Sequence, residues 1–188
     1  MSTELRGSRW NVLALAGRRI DAEGANPPRF PLSQVEAVRQ RLNSLIVEEQ
    51  IGAIVCSAAC GADLVALEEA GKLGIRRRVV LPFAKERFRE TSVVDRPGNW
   101  GDVYDRVIAD VEARGNLIEL PPRAGDERDA YQAANEAIIR EAETIAGAGE
   151  RVAVIVWEGS PRSKSDATNE FRALAEEAGF SQRVVLTL

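Results

Sequence analysis

The chain has 188 residues, of which 45% are hydrophobic and 29% are charged, and its net charge is −4. This balance is typical of a globular domain with its own core, and the slight negative charge does not favour a nucleic-acid partner or an anionic membrane. Histidine is absent, which excludes histidine-based triads and zinc sites, and two cysteines are too few for a four-thiolate site.

The amino terminus lacks the apolar core of a signal peptide, and the longest apolar run, residues 152–157, is too short to cross a membrane. We therefore expect one cytoplasmic domain spanning residues 1–188, with no membrane partner and with neither a metal nor a cofactor.

In the first half of the chain, apolar runs predict strands at residues 11–16, 52–58 and 76–83. A capping box formed by Ser33 and Glu36 predicts the start of the first helix. A second helix begins near Cys60 and is stopped by Gly74.

In the second half, short helices are predicted at 85–89 and 102–114, and a strand at 116–120. Asp126, with Asp129 three residues later, marks the start of a long helix that ends near residue 146. A strand at 151–157, a helix at 166–178 and a last strand at 183–188 complete the chain. This alternation predicts an α/β fold: a Rossmann-like three-layer sandwich with a mostly parallel central sheet of about six strands.

Ligands of parallel sheets bind beyond the carboxyl ends of the strands, so the loops there are the candidate site. The turn after the second strand runs directly into a helix, whose free amides and dipole favour a phosphate. Its candidate ligand-binding residues are Ser57, Ala58, Cys60, Gly61 and Asp63, with Asp63 able to hold a ribose. The alternative is a plain tight turn in which Asp63 stabilises the first helical turn.

Neither cysteine is a good candidate for a catalytic nucleophile. We expect Cys56 to be buried, and the helix terminus could lower the pKa of Cys60, which lacks a partner base.

The loops after the first and fifth strands supply further candidates. Gly17 permits close approach, and Arg18 or Arg19 could neutralise phosphate, unless both are simply solvated. The loop after the fifth strand is either an ordinary surface loop or a second phosphate or ribose site. In either case Ser165 or Asp166 could cap the next helix, and the candidate ligand-binding residues are Gly159, Asp166 and Thr168.

An aromatic group could complete the site. Phe83, after Pro82 in the third strand, either stacks on a base or belongs to the core. Tyr131 and Asn135, four residues apart on one helix, either line the pocket or lie on the helix surface.

Several short motifs occur in order along residues 12–178. They are Gly17-Arg-Arg-Ile-Asp21, Arg29-Phe-Pro31, Ser57-Ala-Ala-Cys-Gly-Ala-Asp63, Val79-Val-Leu-Pro-Phe83, Phe88, Ser92-Val93 and Tyr131-Gln-Ala-Ala-Asn135. Together the set resembles the SLOG superfamily, a Rossmann-like group related to DprA and the "lonely guy" proteins, and within it the sensor-type bacterial members. The resemblance implies nucleotide binding and, by analogy, a homodimer.

The resemblance has departures. The superfamily's phosphoribohydrolases carry a Pro-Gly-Gly-x-Gly-Thr-x-x-Glu loop, whereas residues 163–171 keep only a matching Thr168 and place Glu170 two residues later. The missing glycines favour binding over catalysis.

Three functions remain open. The first is a sensor of a nucleotide or nucleotide-derived signal, with the loops at 18–31 and 160–165 ordering on binding. The second is a nucleoside-monophosphate N-glycosidase, whose oxocarbenium-like transition state needs a carboxylate from Glu68, Glu86 or Glu170. The third is an interaction module with a vestigial pocket.

Overall fold

One sheet organises the molecule, and the computed structural model describes residues 10–122, 126–147, 149–163 and 166–188. The strands are β1 (Asn11–Gly17), β2 (Ile51–Cys56), β3 (Arg76–Leu81), β4 (Leu117–Glu119), β5 (Arg151–Trp157) and β6 (Ser181–Leu186). Their order is β4-β3-β2-β1-β5-β6, and each neighbouring pair is parallel. The predicted Rossmann-like α/β fold is confirmed.

In the described part of the chain, six α-helices connect the strands: α1 (Val35–Glu48), α2 (Ala62–Lys72), α3 (Lys85–Ser92), α4 (Trp100–Ala113), α5 (Glu127–Ala146) and α6 (Ala167–Glu177). Within the described segments, none of them combines the length and apolar character needed to cross a membrane.

The core has two halves, one on each face of the sheet. In β1, Leu13 and Leu15 pack with α1, α2 and α4, whereas Val12 and Ala14 pack with α5 and α6. Successive side chains of a strand point to opposite faces, so a strand covered on both faces must be apolar throughout. This is why the central strands are recognisable in the sequence as uninterrupted apolar runs.

The order in which strands are added to the sheet reverses at β1. From β1 to β4 the strands are added on one side of the sheet, and α5 then returns the chain so that β5 pairs with β1 on the other side. The loops that follow β1 and β5 therefore lead to opposite faces and leave a crevice between them, which is where ligands bind in open α/β sheets.

Gly17 allows the elements around this crevice to pack closely. A Cβ atom at this position would lie 2.4 Å from Cβ of Ala62 and 2.7 Å from Cβ of Val156. The close approach expected at Gly17 exists, but the neighbouring atoms belong to α2 and β5.

Two helix signals are confirmed. The Asp126 carboxylate accepts a hydrogen bond from the Asp129 amide at 3.1 Å, which caps α5. Gly74, with φ of +68°, follows the end of α2. Both signals are local, so the sequence contains them completely.

The predicted capping box is wrong. Ser33 lies in a short 3-10 helix (Leu32–Gln34), and Gln34 precedes α1 without a side-chain capping bond. Because α1 starts at Val35, Ser33 is too far upstream to cap it.

Several other boundaries also differ from the prediction. β2 and β3 each end two residues earlier than predicted, α4 starts at Trp100 and β6 starts at Ser181.

Candidate functional site

A cavity of about 760 Å³ occupies the crevice at the carboxyl edge of the sheet. Its floor includes the end of β1 and Ser57, which follows β2. Its walls come from the loop after β1, from the end of α3, and from α5 and α6. This volume falls within the roughly 300–1,000 Å³ typical of small-molecule sites.

One wall is a stripe along α5. Four of its residues, at helical spacing of three or four, line the cavity: Glu127, Tyr131, Asn135 and Ile138. The Tyr131 and Ser92 hydroxyls lie 2.8 Å apart, and the Asn135 amide group donates to the Ala167 carbonyl at 3.0 Å. The stripe is about 16 Å long at 1.5 Å per residue.

The turn between β2 and α2 is folded against the loop after β1. The Ile20 amide donates to the Cys60 carbonyl, and the Ala62 amide donates to the Arg18 carbonyl. Gly61, with φ of +105°, makes this possible, because a Cβ there would lie 2.7 Å from the Arg18 carbonyl oxygen.

The predicted phosphate cradle at this turn is thereby largely filled. The Cys60 amide donates to the Ser92 carbonyl and the Leu64 amide to the Ala59 carbonyl, while the Ala62 amide is bound as described above. A phosphate would have to displace these bonds to use the same donors. The small side chains in segment 57–63 therefore mainly allow the backbone of this turn to pack closely on the loop after β1.

Asp63 is the exception in this turn, because it lines the cavity and remains available. It is 6% exposed, and its Oδ2 accepts the Ala59 amide at 3.1 Å. Its Oδ1 forms no hydrogen bond with any described residue. Burial raises the pKa of Asp63 to about 7, although the Ala59 amide and the charge of Arg19 oppose the shift. Such a carboxyl would gain from a ligand that donates hydrogen bonds.

Two buried polar atoms near Asp63 lack partners in the described part of the chain: Oγ of Ser57 and Nε of Arg19. Both residues line the cavity.

Both thiols are buried. Burial raises the pKa of Cys56 well above its usual value. It also raises the pKa of Cys60 against the opposing charge of Arg19, so the expected lowering at the helix terminus is wrong.

Arg18 is tied into the fold by two carboxylates. Its Nη1 donates to both Asp166 oxygens at 2.7 Å, and its Nε donates to Glu158 at 2.6 Å. Its Nη2 donates to the Ser160 carbonyl at 2.8 Å, and Arg29 also pairs with Glu158. With 4% of its side chain exposed, Arg18 is neutralised inside the protein rather than left free for a phosphate.

Arg19 and Arg96 share one carboxylate. Both guanidinium groups pair with Asp95, and both residues line the cavity. Because two positive charges meet a single negative charge, this corner of the cavity has an excess of one positive charge.

The amino terminus of α6 forms the opposite corner. The Asp166 carboxylate caps it by accepting the Thr168 amide at 3.0 Å, and it also accepts the Arg162 amide at 2.6 Å. Burial alone raises the pKa of Asp166, but these bonds and Arg18 hold it below its usual range. The predicted cap at Asp166 is confirmed, while Ser165 lies outside the described residues.

Nine predicted ligand-binding residues line the cavity: Gly17, Arg18, Arg19, Ser57, Asp63, Tyr131, Asn135, Asp166 and Thr168. The other six lie elsewhere. Ala58 and Cys60 are buried in the core, Gly61 packs on the loop after β1, Phe83 contacts Phe88 and Tyr131, and Pro82 and Gly159 are outside the cavity wall.

The three candidate catalytic glutamates also lie outside the cavity wall. Glu68 pairs with Arg39 and Arg106, and Glu170 pairs with Arg128. Glu86 is exposed on α3. None of the three is positioned to act on a ligand in this cavity.

Several polar residues of the wall were not predicted to bind a ligand: Arg96, Glu127 and Arg162, together with Asp21 and Arg29, which appeared only as parts of the sequence motifs. Asp21 accepts the Arg29 and Phe30 amides at 2.8 and 3.0 Å, which closes the loop at residues 18–31 on itself. Periodicity along α5 from Tyr131 would have found Glu127. The others come from irregular loops and carry no local signal.

No group of three potential metal ligands occurs among the described residues. The fold and the cavity define a Rossmann-like α/β protein with a candidate small-molecule site at the switch point of its sheet.

Comparisons with known proteins do not identify a family for this chain. No family model matches the chain, and no curated protein matches it. It is similar to the X-ray structure of DNA processing protein A (DprA) from Streptococcus pneumoniae, with 13% sequence identity and a TM-score of 0.41. The match covers 94% of this chain and 59% of that protein.

Proposed function

We propose that the cavity binds a nucleotide or a nucleotide-derived signalling molecule and that the protein acts as its sensor. The observation that carries the proposal is the pairing of a buried, available carboxyl at Asp63 with first-turn amides of α6 that no described residue accepts from, beside one cavity at the switch point of the sheet. The resemblance of the ordered sequence motifs to the SLOG superfamily supports the same function.

The phosphate belongs at the start of α6 in this proposal. The first-turn amides of Ala167 and Asn169 form no hydrogen bond with any described residue. Thr168 is 7% exposed, lines the cavity, and its hydroxyl is likewise unbonded to any described residue. Backbone amides at a helix start, together with the helix dipole, favour an anion.

The ribose and base lie further along the cavity. Asp63 accepts hydrogen bonds from the ribose hydroxyls, and the base contacts Tyr131, which lines the cavity wall. This placement keeps the ribose role predicted for Asp63, and it moves the principal phosphate from the β2–α2 turn to α6.

The N-glycosidase alternative is tested with the same ligands. A carboxyl with a pKa of about 7, as at Asp63, is suited to donate a proton near neutral pH. The raised pKa of Asp63 is the observation that favours an enzyme, because the three glutamates considered for the catalytic role lie outside the cavity wall.

The experiment is a thermal-shift screen of the purified protein with mononucleotides, dinucleotides and cyclic nucleotides, combined with chromatography for released base. A ligand at 100 times its Kd adds about 2.7 kcal/mol of stability. For a chain of this size that raises Tm by about 5–10 °C. A shift without base release supports the sensor, and base release supports the enzyme.

The site is tested with Asp63→Asn, which keeps the shape of the side chain but removes its charge. We expect this variant to weaken binding about 10-fold, the value of one charge-assisted hydrogen bond. Asp102→Asn, on the exposed first turn of α4, is the matched control and should bind like the native protein. Absence of any shift across the panel at millimolar concentration would refute both functions and leave the interaction module.

A further inference from the structure

The cavity has two separate excesses of positive charge. The carboxylates Asp21, Glu127 and Asp166 in its wall are each engaged by protein donors: backbone amides for Asp21, Arg87 for Glu127, and Arg18 for Asp166. Arg18 and Arg29 are in turn neutralised by Asp166 and Glu158. The amides leave the charge of Asp21 in place in the loop after β1, and the positive charge available to a ligand is carried locally by the other three arginines of the wall.

The first excess lies at Arg19 and Arg96. The two guanidinium groups share Asp95, and Nε of Arg19 is buried without a partner among the described residues. The side chains of all three are about 30% exposed, so the pair is reachable from the cavity without being freely solvated. A phosphate here would contact the exposed parts of the two guanidinium groups, whose charge exceeds that of Asp95 by one.

The second excess lies at Arg162 and the start of α6. The Arg162 guanidinium forms no ion pair or hydrogen bond with any described residue, and the residue lines the cavity. Thr168, which is 7% exposed, lines the same space. Side-chain charge and first-turn amides thus converge on one anion position.

The topology keeps these two positions apart. Arg19 is bridged to Gly61, which follows β2, and Asp95 follows α3, so the first position lies on the β2 side of β1. The second position follows β5, on the other side of β1. Adjacent strands are about 4.8 Å apart, so two strand spacings place the groups on the order of 10 Å apart. Asp63 lines the space that both positions border.

From this arrangement we propose that the ligand carries two separated phosphate groups on a nucleotide scaffold: one at Arg19 and Arg96, the other at Arg162 and the start of α6. A linear or a cyclic dinucleotide has this chemistry. The cavity volume of about 760 Å³ is in the upper part of the usual range for small-molecule sites, which favours such a ligand over a mononucleotide. The inference rests on the proposed nucleotide-binding function.

The test is calorimetric titration with six probes: AMP and GMP, each with one phosphate, and pApA, pGpG, cyclic di-AMP and cyclic di-GMP, each with two. We expect the best two-phosphate probe to bind at least about 10-fold more tightly than either mononucleotide, because one more charge-assisted contact contributes that factor. The linear and cyclic pairs show which form the site accepts.

Two variants separate the two positions. Arg162→Gln should lower the affinity for both classes of probe about 10-fold, whereas Arg96→Gln should lower it only for the two-phosphate probes. Arg96→Lys, which keeps the charge, should retain part of the affinity. Arg106→Gln is the matched control, since Arg106 is exposed and lies outside the cavity wall.

The outcomes are distinct. Mononucleotides that bind as tightly as every two-phosphate probe would overturn this inference and leave the proposed function intact, as would native two-phosphate affinity in Arg96→Gln. Failure of all six probes, in a protein that melts cooperatively, would overturn both.

Discussion

Replacing Arg18 with methionine should destabilise the protein strongly, although Arg18 lies in a loop. The guanidinium makes five hydrogen bonds to Asp166, Glu158 and the Ser160 carbonyl, at 2.6–3.2 Å. The two carboxylates are 1% and 9% exposed, so without Arg18 they would be buried charges with less compensation. Removing one partner of a buried ion pair costs about 3–5 kcal/mol.

The assay is urea unfolding of the native protein and of Arg18→Met, followed by thermal melting. A loss of about 4 kcal/mol corresponds to a Tm lower by about 12 °C for a chain of this size. Arg128→Met is the matched control, because the Arg128–Glu170 pair is 60% and 26% exposed. Exposed pairs contribute about 0–1 kcal/mol, so this control should melt close to the native protein.

The pH dependence of the difference gives a sharper test. In the native protein, burial raises the pKa of Asp166 and Glu158, but the Arg162 amide at Asp166, Arg29 at Glu158 and Arg18 at both outweigh it and lower both pKa values. Their contribution is therefore present above the usual carboxyl pKa and is lost only at lower pH. Without Arg18, burial is opposed by fewer donors, so both pKa values are higher than in the native protein and the variant gains less stability as the pH rises. The gap between the two proteins should therefore be largest at pH 7.5 and smaller at pH 4.5. A gap below 1 kcal/mol, or one equal at both pH values, would refute the reasoning.

Two further predictions concern the turn after β2. Because the folded-state pKa of Asp63 is about 7, its burial reduces stability as the pH rises from about 4 to 7. Asp63→Asn should remove this dependence and be about 4 kcal/mol more stable than the native protein at pH 8, measured by urea unfolding. A native protein with equal stability at pH 5 and pH 8 would contradict this. Gly61→Ala should cost about 3 kcal/mol, because its Cβ would meet the Arg18 carbonyl and the Ile20 amide at 2.7 and 2.9 Å, whereas Gly74→Ala, also at positive φ but in open space, should cost about 1 kcal/mol. Equal losses in the two glycine variants would show that backbone strain alone decides.

The strands could be predicted from the sequence because each central strand is buried on both faces and is therefore apolar along its length. β5 shows this best: residues 152–157 are all buried. Helix boundaries were predictable where the cap was local, as at Asp126. The boundary failed at Ser33, because the preceding 3-10 turn depends on how the loop after β1 closes on Asp21, which is a tertiary contact.

The site was only partly predictable. Helical spacing placed Tyr131 and Asn135 on one face of a helix, and the sequence left open whether they line the pocket or lie on the helix surface. In the structure both residues line the cavity. The role of Arg18 could not be found, because its partner Asp166 is 148 residues away and nothing in either segment marks the pair. The same applies to Arg96 and Asp95, which acquire meaning only when Arg19 is placed beside them.

The proposed anion position at the start of α6 does not depend on a glycine-rich loop. The capping Asp166 places a negative charge beside the first-turn amides, and by itself that charge would repel a phosphate. Here Arg18 binds both oxygens of Asp166 at 2.7 Å and so compensates its charge, while the Asp166 carboxylate still holds the Thr168 amide in place. In the proposed sensor, Arg18 therefore acts on the phosphate through Asp166 and not by direct contact. Arg18→Met should consequently weaken nucleotide binding even at temperatures where the variant is fully folded, whereas a purely structural role for Arg18 predicts native affinity there.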